Sequence, residues 1–124
     1  MAKSVLLVDD DKVLNFLTAK SFKKSGLVQK IEVAYNGREA LNYLLHATEI
    51  PDFILLDIGM PVMNGFEFLD EYCKLDLKKR PKIAIYTGSI EEADQEKAKS
   101  YEDIVEFIIK PLTPQNLDRI AELI

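Results

Sequence analysis

A chain of 124 residues with 48% hydrophobic and 30% charged side chains carries enough apolar material for one folded core and too much for a disordered tail. Its net charge of -5 and pI near 4.9 oppose generic affinity for nucleic acid or an anionic membrane. The single cysteine excludes an internal disulfide and any cysteine-rich metal site.

The chain enters a strand almost at once, with neither signal peptide nor membrane span, so a cytoplasmic protein is expected. Ser4 to Val8 is a short apolar run closed by Asp9, Asp10 and Asp11, a first strand that ends in acids. Lys12 to Lys24 reads as a helix, its apolar positions Val13, Phe16 and Leu17 set apart from Lys20, Lys23 and Lys24. Asp11 is placed to cap it and Ser25-Gly26 to stop it. Lys30 to Tyr35 alternates through Ile31 and Val33, a second strand nearer an edge. Asn36 with Glu39 forms a capping box for a helix with the stripe Ala40, Leu41, Leu44, Leu45 and Ala47.

Phe53-Ile54-Leu55-Leu56, between Pro51 and Gly59, reads as a strand buried on both faces that ends at Asp57. Asn64 and Glu67 repeat the capping signature ahead of Phe66, Phe68, Leu69, Tyr72 and Cys73, with Cys73 expected as a small buried hydrophobe. Lys78, Lys79, Arg80 and Lys82 read as a solvated basic loop. A fourth strand, Ile83 to Tyr86, ends in Thr87-Gly88. The highly charged Ser89–Ser100 segment predicts a lightly packed helix. Ile104 to Ile109 is a fifth strand ending in Lys110-Pro111. Thr113 and Pro114 then open a last helix through Leu117, Ile120, Ala121 and Ile124. Five strands alternating with five helices predict one α/β domain over residues 1–124, a doubly wound open parallel sheet with right-handed crossovers.

With all strands parallel, their C-terminal tips share one edge, where ligands bind in such sheets. That edge receives Asp9, Asp10, Asp57, Thr87 and Lys110. Three carboxylates and a lysine are costly to hold in a partly buried crevice unless they are paired or metal-bound. Clustered oxygens without His or Cys favour a hard cation, Mg2+ or Mn2+. The chemistry that suits the set is phosphoryl transfer to a carboxylate, driven by positioning and charge neutralisation. Asp57, ending the central strand, is the best nucleophile. Asp10 is expected as a direct metal ligand and Asp9 as a nearby acid acting directly or through water. The loop at Gly59 can lend a backbone carbonyl, Lys110 the fixed positive charge, and Thr87 a hydroxyl donor.

At Val8-Asp9-Asp10, Leu56-Asp57, Met60-Pro61, Asn64-Gly65, Thr87-Gly88 and Phe107-Ile108-Ile109-Lys110-Pro111 the chain resembles the receiver domain of bacterial two-component response regulators, typified by the chemotaxis response regulator. The resemblance runs over essentially the whole chain. It implies the flavodoxin-like strand order 2-1-3-4-5 and a cis Lys110-Pro111 bond. It implies Asp57 as phosphoacceptor, Asp9 and Asp10 as acidic metal-site residues, and the Gly59 carbonyl as a third metal contact. Thr87 would be the switch hydroxyl, Lys110 the conserved-type lysine, and Phe107 an aromatic whose rotamer follows Thr87. Gly59 and Ser89 stand where such domains tune dephosphorylation, so the lifetime of the phosphorylated state is expected to depend on them.

The implied function is a signalling switch that takes phosphate from a sensor histidine kinase or a histidine phosphotransfer protein. The kinase would meet the first helix near Phe16 and Lys20, with Pro111-Leu112 opposite. A downstream protein would meet the fourth helix, fifth strand and fifth helix. That face reads as strongly acidic: Glu91, Glu92, Asp94, Glu96, Glu102, Asp103 and Glu106 against Lys97 and Lys99. With the fifth helix reaching the last residue, no effector segment is expected, which leaves protein binding, phosphate relay or a phosphate sink. Three rival readings are weaker. A Mg2+-dependent phosphohydrolase lacks a second acid at Gly59 and any cap elements. A receiver serving only as an interaction module leaves the intact acid set without purpose. A flavodoxin-like cofactor carrier lacks a Gly/Ser/Thr-rich loop after strand one, where three aspartates repel FMN phosphate. His46, on the second helix, lies away from the acidic edge.

Overall fold

Strands and helices alternate along the chain in the computed structural model, which describes residues 3–124. The elements are β1 (Ser4–Val8), α1 (Lys12–Ser25), β2 (Lys30–Ala34), α2 (Gly37–His46), β3 (Phe53–Leu56), α3 (Gly65–Tyr72), β4 (Lys82–Thr87), α4 (Glu92–Ala98), β5 (Ile104–Ile109) and α5 (Pro114–Leu123). All strand pairs are parallel, in the order β2-β1-β3-β4-β5. The fold class and strand order expected from the sequence are therefore both present, and the Lys110-Pro111 bond is cis.

The two-residue period of the strands divides the interior into two cores. Leu6, Val8, Ile54, Leu56, Ile83 and Ile85 face α2, α3 and Ala98 of α4. Val5, Leu7, Phe53, Leu55, Ala84 and Tyr86 face Phe22 of α1 and Ile120 of α5. β1, β3 and β4 are buried from both sides, which is why they read as continuous apolar runs. No helix among the described residues is long and apolar enough to cross a membrane.

Helix ends follow the cap chemistry. Asp11 accepts from the Leu14 amide and Gly26 closes α1 at φ 72°, a left-handed conformation that favours glycine. Asn64/Glu67 and Thr113/Asn116 form reciprocal capping boxes. At α2 the box is only half made, because the Glu39 carboxylate accepts from the Tyr35 amide instead of from Asn36.

Several local expectations are corrected. α1 is rotated relative to its apolar stripe: Val13, Phe16 and Leu17 are exposed, at 71%, 67% and 52%, while Asn15, Thr18 and Phe22 are buried. The cause is polar: the Asn15 amide donates to the Asp9 carbonyl (2.8 Å) and Thr18 bonds the Tyr86 hydroxyl (3.1 Å). Leu45 is exposed at the rim of α2. Cys73 is exposed as well, because α3 ends one residue earlier and Tyr72 fills the buried side of that turn. The basic loop is not merely solvated. Lys79 pairs with Asp52 (2.8 Å), and Arg80 lies over the Tyr72 ring (4.4 Å) while pairing with Asp103 (3.1 Å).

Candidate functional site at the C-terminal edge of the sheet

The strand ladder runs one residue beyond the strands where it matters. The Asp9 amide donates to the Ala34 carbonyl (3.0 Å) and the Asp57 amide to the Val8 carbonyl (2.9 Å). Val8 is registered on Leu56, so Asp9 and Asp57 emerge side by side with their backbones fixed. By the strand period both follow Leu7 and Leu55 toward the α1/α5 side, and Lys110 follows Ile108 toward the same side. Asp9 and Asp57 are buried and Asp10 is exposed.

Lys110 reaches across to both buried acids, its ammonium 2.6 Å from Asp9 Oδ2 and 3.4 Å from Asp57 Oδ2. Amides hold the other oxygens: Asp11 donates to Asp9 Oδ1 (3.0 Å) and Gly59 to Asp57 Oδ1 (3.2 Å). Burial is the largest influence on Asp9 and holds its carboxyl above the ordinary carboxylate range, against the pull of Lys110 and the Asp11 amide. For Lys110, burial pulls down, but the Asp9 and Asp57 carboxylates outweigh it and keep the ammonium above the usual lysine value.

Carboxylate oxygens of Asp9, Asp10 and Asp57 lie within 4.8 Å of one another. Asp9 Oδ2 is buried with no aligned hydrogen bond beyond its ion pair to Lys110. Three hard oxygens, one of them under-satisfied, against a single ammonium fit a divalent cation of the Mg2+ or Mn2+ type. A Cβ built on Gly59 meets nothing within 4 Å, so the loop there is open to solvent.

The loop that follows is pinned. The Gly65 amide donates to the Ile58 carbonyl (3.2 Å), and a Cβ on Gly65 would come within 2.6 Å of the Asp57 carbonyl oxygen. The Gly37 amide holds the Met63 carbonyl (2.9 Å). Between these anchors Met63 donates to the Pro61 carbonyl (2.7 Å) around Val62, at φ 67° and 80% exposed. This is a γ-turn of the rarer hand, costly for a β-branched residue.

Thr87 ends β4 at the expected edge, but in phase with Ile85 toward the α3/α4 side, and its hydroxyl donates to the Ser89 carbonyl (3.0 Å). Phe107 is half-buried against the same core. The acidic face expected at α4, β5 and α5 is less acidic than its run of carboxylates from Glu91 to Glu106 implies. Arg119 of α5 pairs with Glu106 (2.9 Å), and Arg80, from the loop before β4, pairs with Asp103 (3.1 Å). Sequence reasoning also missed Asn15, which holds the Asp9 peptide, and Tyr86, whose ring lies beneath Lys110. The available signal was the spacing of Asn15, Thr18 and Phe22, a second stripe beside the more apolar one. His46 is exposed, its Nδ1 against the Asn42 carbonyl (2.8 Å).

A family model described as the response regulator receiver domain matches residues 5–122. The chemotaxis protein CheY of Thermotoga maritima is 32% identical over 120 residues, 94% of this chain and 92% of that protein. A solved structure of a two component response regulator from Cytophaga hutchinsonii matches with a TM-score of 0.87 at 31% identity, covering 98% of this chain and 96% of that one. The sensor histidine kinase CheAY of Helicobacter pylori is 32% identical over 119 residues, which are 95% of this chain and 14% of that protein. The chain likewise spans less than half the length of other curated relatives it matches.

Proposed function

This chain belongs to the response regulator receiver domain family, and on that premise we propose that it is a phosphorylation-dependent switch, with Asp57 accepting a phosphoryl group in a Mg2+- or Mn2+-dependent reaction. A receiver domain forms and loses phosphate on its own carboxylate and does not turn over a free substrate as a conventional enzyme does. The observation that carries the reading is the convergence of Asp9, Asp10 and Asp57 within 4.8 Å, with Lys110 bridging the two buried acids.

Asp9, Asp10 and Asp57 would hold the cation, with the Gly59 carbonyl as a further contact. Bound there, it would offset the repulsion between these acids and the incoming phosphoryl oxygens. An Asp57 oxygen attacks phosphorus and forms the new O–P bond. The bond from phosphorus to the donor breaks, and its electron pair leaves with the donor group, a histidine imidazole or an acyl carboxylate. Lys110 gives up contact with Asp57 Oδ2 for a phosphoryl oxygen, and the Asp9 pair keeps the ammonium in place while it does so. The Thr87 hydroxyl leaves the Ser89 carbonyl to donate to another phosphoryl oxygen. Thr87 and Phe107 share the face on which α4 lies, so this turn moves the α4–β5–α5 surface offered to a downstream protein. The exposed Val13, Phe16 and Leu17 on α1, beside Lys20 and the acid edge, are the surface for a histidine kinase or phosphotransfer protein.

Incubation with Mg2+ and acetyl phosphate tests the reading by intact mass and peptide mapping. The expected result is one phosphoryl group on Asp57, lost with EDTA and in Asp57→Asn. No gain in mass, or an equal gain in Asp57→Asn, would overturn it.

A further inference from the structure

Tyr86 is the residue before Thr87 and points the opposite way, into the α1/α5 core, where it is 3% exposed. A leucine or phenylalanine would fill such a place without a polar atom to satisfy. The Tyr86 hydroxyl is fully engaged. It accepts from the Leu112 amide (3.0 Å) and lies 3.1 Å from Thr18 Oγ1, to which its proton is free to point. The Lys110 ammonium sits over the Tyr86 ring, 5.7 Å from its centroid.

These contacts bracket one residue. Lys110 donates its own amide to the Thr87 carbonyl (2.8 Å), Pro111 has no amide to give, and Leu112 therefore carries the first donor beyond the lysine. Consecutive residues of β4 thus hold the peptide on either side of Lys110, Thr87 by its backbone and Tyr86 by its side chain. Through Thr18 the same hydroxyl fastens that loop to α1.

We propose that Tyr86 is a positioning residue for Lys110, with its ring beneath the ammonium and its hydroxyl locking the following peptide to α1. The proposal rests on the reading above that Lys110 serves phosphoryl transfer to Asp57. Tyr86→Phe keeps the ring and removes the lock. The Asp9 backbone keeps its own bonds to Ala34 and Asn15, so the lock reaches the cation site only through the Lys110 ammonium on Asp9 Oδ2.

The test follows phosphorylation of the full chain by acetyl phosphate at saturating Mg2+, beside Mg2+ titration and hydrogen exchange at the Leu112 amide. Tyr86→Phe, which removes both hydrogen bonds of the hydroxyl, is expected to lower the rate about three- to tenfold. Leu112 should exchange faster, while the Mg2+ dissociation constant stays within about twofold of wild type. In a Lys110→Ala background the same substitution should change the rate no further. A purely structural tyrosine would not show that dependence. If Tyr86→Phe fails to fold, Thr18→Val breaks the same chain of bonds and Thr18→Ser restores it. The Val variant should be slow and the Ser variant normal. A wild-type rate in Tyr86→Phe, equal rates in the two Thr18 variants, or an undiminished effect without Lys110 overturns the proposal. A wild-type protein that takes no phosphate on Asp57 overturns the reading beneath it instead.

Discussion

Helix α3 buries Gly65, Phe66, Phe68, Leu69 and Tyr72 and closes its first turn with a full capping box, whereas α4 buries only Ala98 and starts at Glu91 without a side-chain cap. Both lie against the same face of the sheet. α3 begins against the Asp57 peptide, with the Gly65 amide on the Ile58 carbonyl. α4 follows Thr87 and is tied to α3 mainly by side chains at its C-terminal end, with Lys97 over the Phe66 ring (4.6 Å) and Tyr101 on Asp70 (2.5 Å). The backbone of the proposed acceptor Asp57 therefore abuts the well-packed helix, and Thr87, whose hydroxyl would respond to it, adjoins the thin one. On the proposed function, a charge added at Asp57 would be relieved where displacement costs least.

The sharpest way to break this contrast is to empty α3. Phe68 is fully buried and stacked on Tyr72 (centroids 5.5 Å apart), so Phe68→Ala should cost about 3–5 kcal/mol in urea unfolding. Gln95→Ala, on the exposed side of α4, should stay within about 0.5 kcal/mol. Comparable losses at the two sites would remove the distinction. Next in size is Gly65→Ala. Its Cβ would press on the Asp57 carbonyl oxygen and the Ile58 Cα, both backbone atoms, so about 1–3 kcal/mol is expected. Acetyl phosphate labelling should slow with it, since the shift falls on the acceptor's own peptide. A Gly65→Ala protein as stable and as quickly labelled as wild type would show that α3 does not set the position of Asp57.

The smallest effect concerns the tie between the two halves. Burial first, then donation to Asp70, raise the Tyr101 phenol from 10.0 to about 12. A raised value in the folded state stabilises below the unfolded pKa and is lost as pH climbs through the folded one. The stability difference between wild type and Tyr101→Phe should therefore be constant up to about pH 10 and shift against the wild type between about pH 10 and 12. Ultraviolet titration should show one late tyrosinate missing from the variant. A difference that does not change with pH would mean the Tyr101 phenol is not raised in the folded state.

The strands and most helix ends were legible because they depend on local chemistry: apolar runs for doubly buried strands, Asp11, Asn64 and Thr113 for caps. The acidic edge was legible for a topological reason, since parallel strands deliver Asp9, Asp57 and Lys110 to one side wherever the helices settle. The face of α1 was not. Asn15 and Thr18 bury because the Asp9 carbonyl and the Tyr86 hydroxyl wait for them, and no hydropathy pattern along one helix contains those partners. Cys73 failed for a related reason, the end of α3 at Tyr72. Arg80 and Arg119 neutralise acids distant in sequence, so charge counted along a segment overstated the charge of the surface.

Amide hydrogen exchange of the full chain, with and without Mg2+ and beryllofluoride as the phosphoryl mimic, reads acceptor and response together. The expected result is altered exchange in α4 and the 88–91 loop, unchanged exchange in α3 and β3, and no response in Asp57→Asn. Changes concentrated in α3 with α4 unaffected, or the same response without Asp57, would contradict the switch.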